Sequence, residues 1–264
     1  MQKSIRTTFA GCLCVVVLFG LSFVIAGESA NGQEQGTSAS EQYALIYNGS
    51  VAAEEGPEAV AAIAEQAGLP VTFVSDLAEL PRLLEHAAVF IIGGTEDDLN
   101  PLIAAFTPEV TAALQDYLRN GGRYLGICGG GFMASTGWEE GESFVKTLGI
   151  IPAESGDFDE DAEPRILPIR WLRETHPMYF QAGPTFELTE SPEAVQVLAY
   201  YADGRIAGLI SSYGKGKAAV CGPHPEAPES WGDEAADGED WTVVTDLAVG
   251  LLQELLSDHP VKTE

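Results

Sequence analysis

The chain has 264 residues, with 13 basic and 40 acidic side chains and a formal net charge of −27. That charge repels nucleic-acid phosphates and anionic lipid surfaces, which argues against both as partners. Four cysteines, two of them near the start, make no disulfide-built scaffold; no pair of Cys or His has metal-finger spacing, so neither metal nor cofactor is expected.

Lys3 and Arg6 precede an uncharged apolar run of eighteen residues, Phe9 to Ala26. This is the pattern of a secretory signal peptide, with Val24 and Ala26 as small residues before a cut near Gly27. The run is also just long enough to span a bilayer, so a retained N-terminal anchor over residues 9–26 is the alternative. Both readings place the remainder outside the cytoplasm, periplasmic or extracellular, with the membrane touched only through the anchor. Residues 27–42 are polar and Gly/Ser-containing, a flexible linker. Residues 43–258 then suffice for one well-buried domain. Its acids are scattered over the whole length, which favours a solvated surface suited to salt over a dedicated basic partner.

Within the domain, short apolar strands alternate with helical stretches. Tyr43–Asn48 is a strand, Pro57–Gly68 a helix, Val71–Ser75 a strand followed by a short helix through Leu84, and Ala87–Gly94 a buried strand ending in two glycines. Thr107 caps a helix that stops at Gly121, and Arg123–Cys128 is a strand whose trailing glycines open another helix. Continuous apolar strands separated by helices predict a doubly wound α/β fold with a mainly parallel, flavodoxin-like sheet. Val195–Tyr201, Arg205–Gly214 and Lys217–Gly222 are closely spaced strands, as in an antiparallel extension, and Asp240–Asp258 is a final covering helix.

Ligands in such sheets bind at the carboxyl ends of the strands. Three loops qualify: Asn48-Gly49, Gly93-Gly94-Thr95 and Cys128-Gly129-Gly130. Gly126-Ile127-Cys128-Gly129-Gly130 has the form G-x-C-x-G, the thiol counterpart of a nucleophile elbow. A residue in a strained strand-to-helix turn needs neighbours without Cβ atoms, and the first N–H groups of the next helix favour a thiolate. The Gly129 N–H supplies one half of an oxyanion hole, and an N–H of the Gly93-Gly94 loop the other. The competing reading is a glycine-rich helix start with a buried cysteine. In Gly222-Pro-His-Pro-Glu226, His224 precedes a proline and is held extended, with Glu226 two residues on. That suits a carboxylate that orients an imidazole, which in turn deprotonates a thiol.

These two motifs, in this order, resemble the class I glutamine amidotransferase-like superfamily and its Cys-His-Glu triad. Together with "YNG", "IIGGTEDD", "YGKGKAAVCGPHPE" and the "THP" at Thr175, they are similar to the domain at the N-terminus of biotin–protein ligases, in its stand-alone bacterial form. The resemblance covers about Tyr43 to Leu256. It implies Cys128 as nucleophile, His224 as base and Glu226 as its orienter, with Gly93, Gly94 and Gly129 around the oxyanion. Where many relatives have Ala-Gly after the nucleophile, this chain has Gly129-Gly130-Gly131, a departure that bears on how rigid the elbow is.

Other features carry plainer readings. Ser155–Pro164 is a solvated acidic loop without EF-hand spacing. Cys221 is a core thiol, able to bridge to Cys128 only at close Cα approach. His86 and His259 are surface residues, His176-Pro177 begins a turn, and Trp171, Trp231 and Trp241 belong to the core or a lid. The expected function is an exported, cysteine-dependent amidase or hydrolase acting on a small-molecule or peptide-like amide, such as a γ-glutamyl substrate, through an acyl-enzyme. A catalytically silent binding module on the same fold, or a redox-sensing thiol protein, is the alternative.

Overall fold

The computed structural model describes residues 42–191, 193–235 and 241–262, all within one unit that spans Ser40–Glu264. The leader and the linker up to residue 41 lie outside the described residues. Among those described, no helix is long and apolar enough to cross a membrane.

Strand β1 is Tyr43–Tyr47, α1 Gly56–Gln66 and β2 Val71–Val74. The short helix expected after β2 is instead a 3-10 turn at Leu77–Glu79, a single α-turn α2 at Leu80–Leu83, and a second 3-10 turn at Leu84–His86. The Asp76 carboxylate accepts from the Ala78 N–H two residues on, so the segment starts tight and is too short to relax into an α-ladder. Next come β3 Ala87–Ile92, α3 Asn100–Ala105, α4 Pro108–Arg119, β4 Arg123–Ile127 and α5 Gly129–Ala134. As expected, Thr107 caps α4: its hydroxyl accepts from the Val110 N–H at 3.4 Å.

Between α5 and the expected late strands lie six more: β5 Gly137–Glu140, β6 Ser143–Lys146, β7 Ala153–Asp157, β8 Arg165–Trp171, β9 Glu174–Phe180 and β10 Pro184–Leu188. The chain ends with β11 Val195–Tyr200, β12 Ile206–Tyr213, β13 Gly216–Cys221, α6 Glu229–Gly232 and α7 Thr245–Leu256. Prolines hid β8 and β9, because proline argues against a central strand. Pro168 and Pro177 lie directly opposite each other. Two prolines tolerate that register only as a non-hydrogen-bonded pair, where neither N–H is needed between the strands. His176 is thus inside β9, paired with Ile169, and does not begin a turn.

The main sheet has eleven strands in the order β2-β1-β3-β4-β13-β12-β11-β8-β9, with β10 pairing β12 and β7 pairing β10; β5 and β6 form a separate hairpin. The five strands from β2 to β13 are mutually parallel, and the pairs beyond β13 are antiparallel. The fold is therefore a doubly wound, mainly parallel α/β sheet of flavodoxin-like order with an antiparallel extension. One detail differs from expectation: β13 closes the parallel part rather than belonging wholly to the extension. It runs parallel to β4 with Cys221 opposite Ile127, so the loop after β13 emerges beside the loop after β4. This register is what brings residues about a hundred positions apart to one edge.

Each face of the sheet has its own core. Val60, Ile63, Ala64, Ala248, Leu251 and Leu252 of α1 and α7 pack on one side. Leu80, Val110, Leu114 and Leu118 of α2 and α4 pack on the other. The far end of α7 is held by two cations. Arg123 Nε donates to the Leu255 carbonyl at 2.7 Å, and Lys217 Nζ donates to the carbonyls of Ser257 at 2.8 Å and Glu254 at 3.2 Å. A helix ends in carbonyls without intrahelical donors, and its dipole favours a cation there. Lys217 is 6% exposed, and burial, followed by the charge of Arg123, lowers its pKa. Lys217→Met keeps the stem but removes the cation from carbonyls that Arg123 and the Ser257 hydroxyl also bond, so it should destabilise the fold by about 0.5–1.5 kcal/mol in urea unfolding. Unchanged stability would show that the cap is dispensable.

Candidate functional site

The turn after β4 has the geometry its glycines foretell. Cys128 sits at φ 51°, ψ −111°, a region that a residue with a Cβ atom rarely occupies. Its N–H donates to the Cys221 carbonyl at 2.9 Å, and its carbonyl accepts from the N–H groups of Gly131 and Phe132 at 2.8 and 3.2 Å. The conformation is thus pinned from the neighbouring strand and from the new helix. A Cβ at Gly126 would run into the Gly130 carbonyl, and one at Gly130 into the Ile92 carbonyl. The hydroxyl of fully buried Tyr124 donates to the Gly130 carbonyl at 2.7 Å, and burial pushes its pKa upward. Gly131, the departure noted in the sequence, packs against Phe186 and Pro184 in the interior. The three glycines therefore serve close packing of α5 on the sheet, and the elbow is not slack.

His224 follows β13. Its N–H donates to the Tyr179 carbonyl at 2.9 Å, a bridge that ties the loop to β9. Its Nδ1–H donates to Glu226 Oε1 at 2.8 Å, with His224 5% and Glu226 2% exposed. That leaves Nε2 as the ring nitrogen not held by Glu226, and His224 lines the same cleft as Cys128. Burial pulls the imidazole pKa down. The negative charges of Glu226 and Cys128, with the hydrogen bond to Glu226, outweigh it and push the value up to about 10. Tyr179 and Trp231 meet the imidazole edge-on at centroid distances of 5.7 and 5.6 Å, which limits its tilt. Glu226 Oε2 has no hydrogen-bond partner among the described residues and lies among Val60, Ile63 and Leu251. A carboxylate so poorly solvated binds its one partner tightly.

Cys128, 8% exposed, opens with His224 onto a cleft of about 1050 Å³. Its Sγ lies 3.5 Å from the Gln181 carbonyl. Gly94, Thr95, Gly129, Phe132, Trp138, Tyr179 and Trp231 also line the cleft. Burial, then the charges of Glu234 and Cys128, raise the Tyr179 phenol to about 12, so it stays neutral.

Not every residue expected at the site is in it. Gly94 and Gly129 line the cleft, but Gly93 sits behind it, its carbonyl accepting from the Gly130 N–H at 3.2 Å. The Gly93 position thus clamps the two loops together. Asn48 is outside the cleft: β1 is separated from β4 by β3, and the Asn48 side chain accepts from the Ser75 hydroxyl at 2.7 Å. His176 is outside as well, with Nε2 3.8 Å from Glu174. Cys221 is fully buried, and burial above all, then the charges of Glu226 and Cys128, raises its pKa; both thiols are free. Trp171 is in the core, whereas Trp231 and Trp241 flank Tyr179. Among the described residues, no three His, Cys, Asp or Glu converge as metal ligands.

Sequence reasoning missed Tyr179, Gln181, Phe132 and Trp138. No local signal marks the first two, which reach the site through the β9–His224 bridge. Phe132 and Trp138 follow the elbow closely, and their aromatic pairing at 5.5 Å is the trace a closer reading of that stretch offers.

Residues 72–147 match the family model described as "Biotin-protein ligase, N terminal". No curated protein matches the chain. Among solved structures, a glutamine amidotransferase from Thermotoga maritima superposes with a TM-score of 0.59 at 14% identity, covering 82% of this chain and 99% of that one. Another, titled only as a glutamine amidotransferase, gives a TM-score of 0.53 at 15% identity, over 69% of this chain and 90% of that one. A cytoplasmic protein of Salmonella typhimurium LT2 gives 0.51 at 14% identity, over 81% and 99%. At these identities the likeness is one of fold. The chain shares the fold of these glutamine amidotransferases, and its residues 72–147 match the model of biotin-protein ligase N-terminal domains.

Proposed function

We propose that this protein is a thiol hydrolase of amides that works outside the cytoplasm through an acyl-enzyme on Cys128. The observation that carries the reading is the strained Cys128, at φ 51°, lining one cleft with an imidazole whose Nδ1–H is held 2.8 Å from buried Glu226. An ordinary core cysteine has no need of an unfavourable backbone, and an ordinary core histidine none of a dry carboxylate.

In this mechanism His224 already holds the thiol proton at neutral pH, and Sγ attacks the amide carbon as a thiolate. A basicity of about 10 lets the imidazole hold a proton taken from a thiol, ordinarily about 8.5. The oxygen of the tetrahedral adduct faces the N–H groups of Gly129 and Gly94. The imidazolium then gives its proton to the leaving nitrogen, the C–N bond breaks, and a thioester remains. Water attacks the thioester, losing a proton to His224, and collapse expels the sulfur as a thiolate while His224 keeps that proton, which restores the starting pair. The balance is amide plus water to carboxylic acid plus amine, with Glu226 ionised throughout and holding the ring tautomer.

Iodoacetamide tests the reading without a known substrate. At pH 7, mass spectrometry should find Cys128 alkylated and Cys221 untouched, and His224→Ala should slow the labelling about ten-fold or more. Labelling at an unchanged rate in His224→Ala would remove the base from the scheme. Detection of intact folded protein with Cys128 persistently unreactive would favour the binding-module reading.

A further inference from the structure

We infer that the substrate of this cleft is a cationic amide, one that carries ammonium or guanidinium groups, and not glutamine. The inference rests on the hydrolase reading above and gives it a substrate class.

Charge is distributed unevenly around Cys128. Among the described residues lining the cleft there is no Lys or Arg, and His224 is the one basic side chain. Its single charge is already answered by Glu226. Carboxylates come instead from every wall: Glu96 and Asp97 after β3, Glu140 at the tip of the β5–β6 hairpin, Asp157 at the end of β7 and Glu160 after it, and Glu234 after α6. None of these six makes an ion pair within the described structure. Asp159, also in the cleft, does so with Arg165 at 2.6 Å, and so leaves the others to set the potential. Burial raises the Asp157 pKa, the mark of a carboxylate short of compensation.

A generally acidic surface explains acids in the cleft but not the scarcity of cations there, since Arg82, Arg119 and Arg205 pair with acids elsewhere on the same surface and only Arg165 reaches a cleft acid, Asp159, from outside the lining. The acids also do not converge as a divalent metal requires. Spread carboxylates fit charges that are themselves spread, as along a basic peptide or an aminoalkyl chain. The aromatic members of the wall agree with this. Tyr179 and Trp231 pack at 5.2 Å and Trp138 packs on Phe132 at 5.5 Å, and all four line the cleft, so the wall between the carboxylates is aromatic, a surface that suits organic cations. Glutamine brings an α-carboxylate to this site, where no Lys or Arg meets it and the surrounding carboxylates repel it.

The test compares three coumarin amides that differ only in charge, Lys-Lys-, Gln-Gln- and Glu-Glu-7-amino-4-methylcoumarin, and adds binding of Lys-Lys-amide to the Cys128→Ser protein by calorimetry. We expect kcat/KM for the dilysyl compound to exceed that for the diglutamyl compound by about 100-fold, a preference that shrinks in high salt. Combined Asp97→Asn and Glu160→Gln should cut it to about ten-fold. Salt-sensitive binding of Lys-Lys-amide with no hydrolysis of any probe would leave the inference standing and sink the hydrolase reading. Hydrolysis of glutamine or of the Glu-Glu compound at the dilysyl rate would do the reverse. Absence of both dilysyl hydrolysis and Lys-Lys-amide binding would overturn the inference.

Discussion

Cys128→Ala and Cys128→Gly should each lower amide hydrolysis by about 10⁴-fold or more, while reversing the usual order of stability between alanine and glycine. The loss follows from the mechanism: no other nucleophile is placed at the elbow, and the oxyanion donors alone leave only a residual rate. The reversal follows from the backbone. In ordinary positions glycine is less stable than alanine by about 0.5–1 kcal/mol, because it loses more freedom on folding. At φ 51°, ψ −111° alanine keeps the steric cost of a Cβ, which is on the order of 1–3 kcal/mol, and glycine escapes it. Denaturant unfolding should therefore show Cys128→Gly to be at least as stable as Cys128→Ala. If alanine is the more stable by the normal margin, the elbow stores no strain, and its shape is not evidence of function.

The second large effect is on stability against pH. The His224 pKa rises from an unfolded value near 6.5 to about 10 in the fold, so the native state holds this proton more tightly. A raised pKa contributes stability that is fully present below about pH 6.5 and is lost as pH rises through about 10. Urea midpoints should thus fall between pH 7 and pH 10, by an amount equivalent to at least about 1 kcal/mol from this group alone. Glu226→Gln removes the leading upward influence and should flatten the slope, although it also trades a carboxylate for an amide in a dry site. A wild-type slope that survives Glu226→Gln unchanged would assign the pH dependence to other groups. Because the two residues touch, their effects should be separated by a double-mutant cycle.

Much of this was legible in the order of residues. The parallel strands are short apolar runs set apart by helix caps, and burial on both faces demands that composition. The elbow is local too: Gly126, Cys128 and Gly130 lie within one turn, and steric exclusion acts over a few residues. His224 and Glu226 are two residues apart, in a turn closed by the Ala227 N–H on the His224 carbonyl at 3.3 Å, so their pairing needs no distant element. The region 137–188 was opaque for an equally physical reason. Its strands carry prolines and charges in place of an apolar run, so pairing rather than burial pattern makes them strands: β8 and β9 form a tight hairpin, and β7 finds β10 about thirty residues on.

The sequence by itself therefore determined the fold class and the two halves of the site, since both rest on burial pattern and local sterics. Which candidates meet was decided by tertiary structure. The parallel register of β13 on β4 sets His224 beside Cys128, and the same sheet order strands Asn48 two positions away. The character of the cleft was also decided there, because an acid scattered along the chain says nothing about which surface it will face. Only when strands, hairpin and helix close around Cys128 do carboxylates gather on its walls and cations stay outside.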